Sequence, residues 1–472
     1  MHHTFTKHKP KMPLPHFLLV TYPAQGHINP ALQLAKQIAS TSAAHVTFVT
    51  NATAIHRINL NHHHPFLAHG AILDGYDEND ANTASDSPTQ KLIRYNLAAS
   101  KSLLELVNSL SDLGRPVTCI IYTLLLPWAA DVARQLGIPF VVFWPQPAAV
   151  FSVYYHYFHG YKERIESCVK DPEFTLNLPG LPPLASRDLP SFFFPNNPYS
   201  FFLTHFEEQF KTIDISKPKV LVNTFNALES DVMESMDGVV ELIGVGPMVP
   251  SDKTFGGDLF DGDVKDYKKW LDAKLPRSVV YLSFGSLALL QKRQLEEITK
   301  GLMESGRPFL WVLRKAQREA EKDVVIETEV IEGREDERGM VVEWCSQVEV
   351  LSHPSIGCFV THCGWNSTME SLFSGVPTVG VPQWSDQPTN AKMVEDVWGS
   401  GVRGRVSGEG VVEAKELIRC LDAVMGKEGE GERVRRKAEG WREKALDAVR
   451  EGGSSHRSLE RFVVEISDHE SE

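Results

Sequence analysis

Apolar residues fall along this chain in short blocks separated by stretches of helical period. The first block, His16-Phe-Leu-Leu-Val-Thr-Tyr22, is followed by Pro-Ala-Gln-Gly-His-Ile-Asn-Pro30. Ala31–Ser40 then carries apolar residues at Leu32, Leu34, Ala35, Ile38 and Ala39. That predicts strand, loop, helix. His45–Thr50 reads as a second strand, and this spacing implies a right-handed βαβ unit in a parallel sheet. Cys119–Tyr122 and Phe140–Trp144 repeat the theme around a helix at Trp128–Leu136. The polar stretches Asn59–His69 and Asp74–Ser87, and the Pro-rich text at 179–198, predict loops. In α/β sheets such loops sit at strand C-termini and bind ligands.

The pattern changes near Val245-Gly-Pro-Met-Val-Pro-Ser251, where a Gly- and Asp-rich stretch follows. It then resumes with strands at 278–283, 308–313, 339–342, 357–361 and 377–381, a helix at 291–305, and helical, highly charged text over the last ~60 residues. The expected fold class is α/β, with two Rossmann-like doubly wound domains in tandem. The expected division is a flexible tail at 1–14, an N-terminal domain at 15–245, a linker at 246–266 and a C-terminal domain at 267–450. A closing helix and tail at 451–472 is expected to return to the N-terminal domain.

Composition narrows the function. The chain has 472 residues and a formal net charge of −13. Nucleic acid and anionic membranes demand a cationic footprint, so neither partner is expected. A basic pocket for one small anion stays open. Six cysteines are too sparse for a disulfide framework, which points to a reducing, cytoplasmic setting. No apolar run reaches the ~18–20 residues of a membrane span.

Two motif matches fail on context. Gly399-Ser-Gly-Val-Arg-Gly404 spells G-x-G-x-x-G, but helical text precedes it where a dinucleotide fingerprint needs a strand. It reads as a helix C-terminal turn. Cys345, His353, Cys358, His362 and Cys363 lack the paired spacing of a zinc site, so no metal is expected. Neither a G-x-S-x-G elbow nor a phosphate-binding P-loop is present.

The strongest signal is the 44-residue block from Trp344 to Gln387, WCSQVEVLSHPSIGCFVTHCGWNSTMESLFSGVPTVGVPQWSDQ. It resembles, nearly letter for letter, the signature box of plant family 1 UDP-sugar-dependent glycosyltransferases. The G-H-I-N-P segment after the first strand and a strand ending Phe284-Gly-Ser286 agree with it, and the resemblance extends over Pro15 to Ile466. It implies the GT-B fold, with the acceptor in the N-terminal half and UDP-glucose as co-substrate in the C-terminal half. No cofactor is implied.

The residues suit that ligand. Trp344 offers a face for uracil. Gln347, with the backbone around Cys345 and Ser346, suits the uracil edge and ribose, and Glu370 can accept from the ribose hydroxyls. Thr361–Ser367 reads as strand end, tight turn, helix start: Gly364 permits close approach, Trp365, Asn366 and Ser367 open a helix, and its free N–H groups make an anion site. His362 and Ser286 add phosphate donors, and Gly26 is also expected at the donor. Asp386 and Gln387 suit sugar hydroxyls, and in the family Gln at this last position goes with glucose.

His27, on the loop after the first strand, is the expected general base. The family usually places an Asp after the strand Cys119–Tyr122 to orient that histidine. Here Thr123 stands instead, able to hold an imidazole by a hydrogen bond but not to balance its charge. A carboxylic acid acceptor, already ionised at neutral pH, needs less from the base. The text Tyr122–Trp128 also resembles the subgroup that forms glucose esters and anthocyanin 5-O-glucosides. Tyr22, Leu125, Trp144 and Trp384 are expected to line a pocket for a small aromatic or apolar acceptor. The reading is an inverting, metal-independent, monomeric glucosyltransferase. Its rivals are a UDP-sugar-binding protein without catalysis, the same fold with another UDP-sugar, and, more distantly, a nicotinamide oxidoreductase.

Overall fold

In the computed structural model, which describes residues 14–41, 44–58, 64–75, 87–250, 267–286, 288–314, 317 and 338–468, the chain builds two parallel sheets. Their central strands are largely apolar runs buried on both faces, as parallel strands covered by helices must be. The first sheet contains β1 (His16–Val20), β2 (His45–Asn51), β3 (Leu67–Ile72), β4 (Cys119–Thr123), β5 (Phe140–Trp144), β6 (Val220–Val222) and β7 (Leu242–Gly244), in the order 3-2-1-4-5-6-7. The second contains β8 (Val279–Ser283), β9 (Phe309–Val312), β10 (Gly339–Val342), β11 (Ile356–Thr361), β12 (Thr378–Gly380) and β13 (Gly401–Arg403), in the order 10-9-8-11-12-13. Strand order reverses beside β1 in one sheet and β8 in the other. Crevices for ligands form at such points, outside the strand C-termini.

The polar stretch 59–69 departs from the expectation of a loop: its end enters β3, whose Leu67 pairs with Val46 of β2. An edge strand with one partner needs little apolar character. The Gly399–Gly404 match forms a turn after the helix and then β13, so no dinucleotide site arises there. Most of the expected linker, 251–266, and most of the expected tail, 1–13, lie outside the described residues.

The halves are not independent lobes. Trp365, Met369, Leu372, Met393 and Trp398 of the second half are buried in the same apolar cluster as Tyr122, Val142 and Phe225 of the first. The helix Ser454–Asp468 returns to the first sheet, where Phe462 meets Phe17 with ring centroids 5.7 Å apart. These contacts hold both switch points towards one space.

Candidate active site

That space is a cleft, open to solvent, between the C-terminal ends of the two sheets. Tyr22, Gly26, His27, Leu125 and Gln146 line it from one side; Trp344, Gln347, His362, Glu370 and Gln387 line it from the other.

On the second sheet, register puts Thr361 of β11 beside Ser283 of β8. The residues that follow, Gly285 and His362, are therefore neighbours. A Cβ on Gly285 would lie 2.6 Å from His362 Nε2, and one on Gly364 would lie 2.5 Å away. Gly285 also has φ +75°, a conformation that suits glycine alone. The imidazole thus occupies the space that both glycines leave open. His362 Nδ1 pairs with Thr361 Oγ1 at 3.2 Å. Burial, reinforced by the nearby Arg314 cation, pushes its pKa down to about 4, so the ring is neutral at pH 7.

Gly364 precedes the helix Trp365–Ser374 with no side-chain cap. The first amides of that helix keep their donors and its positive dipole end. Ser367 Oγ accepts from Gln347 Nε2 at 2.9 Å, and Gln347 also donates to Glu370. Tyr281 donates to Gln347 Oε1 at 3.3 Å. Gln347, Ser367 and Glu370 are thus one bonded group beside half-buried Trp344. Cys345 turns its thiol inward, 3.5 Å from the Tyr281 hydroxyl, so only its backbone is placed for a ligand.

The end of the box is equally constrained. Gln387 Oε1 accepts from the amides of Gln383 at 2.8 Å and Trp384 at 3.0 Å. With its oxygen so used, Gln387 presents Nε2 as its donor. Asp386 accepts from Asn390 at 2.7 Å, and burial raises its pKa. Trp384 packs against Tyr199 at a tilt and edge-on against Phe192, with ring centroids 5.2 and 6.1 Å apart.

On the first sheet, Tyr22 follows β1 and His27 lies in the first turn of the helix Gln25–Ser40. Their rings are 5.5 Å apart. His27 Nδ1 is buried without a hydrogen-bond partner, and desolvation pushes its pKa down to about 4. Leu125 lines the cleft from a turn with φ +76°.

Two expectations require correction. Thr123 does not hold His27. It is fully buried at the join of β1 and β4, where its hydroxyl accepts from the Tyr22 amide at 3.1 Å and donates to Thr21 at 3.4 Å. Trp144 is not a lining residue. Strand alternation puts it with Val142 on the helix-covered face, packed by Phe151, Phe206 and Phe210, and the next residues, Pro145 and Gln146, reach the cleft instead. The Trp365 indole is buried in the seam between the halves, donating to the Asn223 carbonyl at 2.7 Å, although the residue also lines the cleft at the helix start. Gly26, Ser286, Asn366 and the other expected donor residues do line the cleft.

Sequence reasoning missed Arg314, Asn390 and Phe192. Arg314 lines the cleft and donates to the carbonyls of Ser286 and Ala288. It stands two residues past the end of β9, a position that the strand-end rule singles out. Asn390 and Phe192 act through tertiary contacts that no local pattern carries.

The family profile described as UDP-glucoronosyl and UDP-glucosyl transferase matches residues 258–432. The chain is 47% identical over 472 residues to phloretin 4'-O-glucosyltransferase of Malus domestica, covering 95% of this chain and 97% of that one. It is 46% identical over 465 residues to the chloroplastic crocetin glucosyltransferase of Gardenia jasminoides, covering 95% and 96%. Among solved structures, Os79 from O. sativa in complex with UDP superposes with a TM-score of 0.83 at 32% identity, covering 95% of this chain and all of that one. The fold is GT-B. On identity across nearly its whole length, the chain belongs to the UDP-glycosyltransferase family.

Proposed function

We propose that this enzyme transfers glucose from UDP-glucose to an oxygen of a small plant metabolite, with inversion at the anomeric carbon. The observation that carries the reading is the shared cleft in which His27 faces Trp344 and the bonded group Gln347, Ser367 and Glu370, with an uncapped helix start between them. Relatives named for glucosyl transfer to phloretin and crocetin support it.

In this reading uracil lies on Trp344 and the ribose diol bonds to Glu370. The diphosphate meets the amides at Trp365–Ser367, and Asp386 with Gln387 meets the sugar hydroxyls. The acceptor oxygen gives its proton to neutral His27, its lone pair forms the bond to C1, and the C1–phosphate bond breaks with its electrons leaving on UDP. Helix amides and the Arg314 guanidinium stabilise that growing charge. Positive charge from the protein itself supports metal-independent turnover, and full activity in EDTA is the expected result. Six free, buried thiols support a reducing, cytoplasmic setting.

The test is an acceptor panel of phenols, flavonoids and carboxylic acids with UDP-glucose, the product read by mass and by the anomeric coupling constant. A β-glucoside or β-glucose ester is expected. UDP-glucose binding with no product from any acceptor would instead favour a binding protein, and preference for another UDP-sugar would correct the donor.

A further inference from the structure

Outside the cleft, residues 185–192 of the first half lie along a buried seam on the second. At its centre Asp188 is only 1% exposed. Arg403 donates to Asp188 Oδ1 at 2.8 Å and to the Arg187 carbonyl at 2.6 Å. Lys392 Nζ stands 3.7 Å from Oδ2, which also accepts from the Ala185 amide at 2.9 Å. Thr389 Oγ1 donates to the Asp188 carbonyl at 2.7 Å. Three residues on, Ser191 and Ser385 exchange bonds: the Ser191 amide donates to the Ser385 carbonyl at 2.8 Å, and the Ser385 amide to Ser191 Oγ at 2.7 Å.

Two cations from one half meet one buried carboxylate from the other. Such a cluster contributes little net stability over apolar packing of the same volume, because desolvation offsets the attraction. What it adds is defined geometry, since misalignment leaves a buried charge uncompensated. Here the geometry is transmitted. Thr389, clamped to Asp188, adjoins Asn390, whose amide holds both the Asp386 carboxylate at 2.7 Å and the Cys363 carbonyl at 2.9 Å. Gln387 opens the same helix, Gln387–Lys392. On the first-half side of the seam, Phe192 follows Ser191 and packs on Trp384 in the cleft.

We propose that Asp188 and Arg403 form a positioning pair that seats Asp386 and Gln387 against the acceptor wall, so that sugar recognition and water exclusion at the reacting carbon depend on an ion pair outside the cleft. The proposal rests on the reading that Asp386 and Gln387 face the sugar.

The experiment uses the full chain with Arg403→Gln, Asp188→Asn, their combination, Arg403→Lys as the conservative variant and Thr389→Val as the mild one. UDP affinity, KM for UDP-glucose and the ratio of UDP released to glucose transferred are measured, with the acceptor that the panel selects. UDP affinity should stay within about twofold while KM for UDP-glucose rises about tenfold, the split expected when only sugar seating is disturbed. UDP release should outrun transfer, Arg403→Lys should recover part of the loss, and the combination should be no worse than either single change. Thr389→Val should show the same split at smaller size, and it carries the test if the charge variants fail to fold. Unchanged KM and ratio, or loss of UDP affinity in step with thermal stability, would overturn the pairing. An active wild type with indifferent variants sinks this proposal alone. A wild type that neither binds UDP nor transfers glucose sinks the donor reading and this proposal with it.

Discussion

The side-chain amide of Asn366 donates to the carbonyl of Gly26 at 3.1 Å, joining the helix starts of the two halves beside His27. The bond follows from a proline. In a helix the carbonyl of residue 26 expects the amide of residue 30, and Pro30 has none to give. The other half of the molecule supplies the missing donor.

Replacing that proline should therefore separate stability from activity. In Pro30→Ala the new amide can satisfy Gly26 within its own helix and compete with Asn366. The helix gains propensity, so thermal stability should hold or rise, whereas Asn366→Ala loses one hydrogen bond, about 1 kcal/mol. Both variants should raise KM for UDP-glucose. If Pro30→Ala keeps wild-type kinetics, the cross-cleft bond is incidental.

Loss of His27 as His27→Ala should lower turnover on phenols by roughly 10²–10⁴, the usual share of a general base. UDP binding, measured by calorimetry, should barely move, because the proposed uracil site at Trp344 lies across the cleft. Intact turnover on a phenol would remove His27 from the mechanism.

At the donor, Trp344→Ala should weaken UDP binding by roughly 1–3 kcal/mol, the scale of a base stacked on an aromatic ring. Gln387→His should shift preference towards UDP-galactose. Because two amides converge on Gln387 Oε1, and an imidazole nitrogen can accept from only one, the 383–386 turn should loosen as well. Mixed-donor competition reads the first effect, and kcat with UDP-glucose the second. An unchanged donor ratio would place the sugar elsewhere.

Acceptor acidity should matter more than usual. His27 has no carboxylate partner among its hydrogen bonds and a lowered pKa, which makes it a weak base. Across a series of phenols, kcat/KM should rise as the phenol pKa falls, and carboxylic acids should be used best. Thr123→Asp should help the least acidic phenols selectively, by offering a charge to the imidazolium. A flat series, or equal gains for a phenol and a matched acid, would show that something other than basicity limits the reaction.

Protonation should also set acid stability. His27 and His362 both titrate near 4 in the folded chain, against an ordinary value of 6.5. Between those limits the unfolded chain binds more protons, so stability rises with pH across the window and is lost as pH falls through it. Tm should be level above pH 6.5 and decline towards pH 4. A wild-type slope retained in His27→Ala would remove that residue's share.

Much of this was legible in the residues alone. Strand-end positions such as Trp344, His362 and His27 could be read because a parallel sheet puts every strand C-terminus on one rim. Gly364 could be read as permitting close approach, but that Gly285 shares its role against one imidazole became legible only once the β8–β11 register was set. Trp144 misled because a strand's last residue looks ligand-facing until the side on which it alternates is known. By pattern Thr123 follows the strand Cys119–Tyr122; it instead ends β4, with its hydroxyl claimed by the Tyr22 amide, a bond spanning 101 positions. Asp188 and Arg403, 215 positions apart, leave no local trace of their contact.

The indole N–H of Trp365 ends on the Asn223 carbonyl and that of Trp398 on the Leu228 carbonyl, both in the first half. Each half therefore finishes the interior of the other. Produced alone, the second half would expose two tryptophans with unsatisfied donors and invite aggregation. Chimeras that graft the first half of one relative onto the second half of another inherit this constraint. They should fold only where the receiving surface offers carbonyls at the same two places, so recombination within the family is governed by an interior match remote from either substrate.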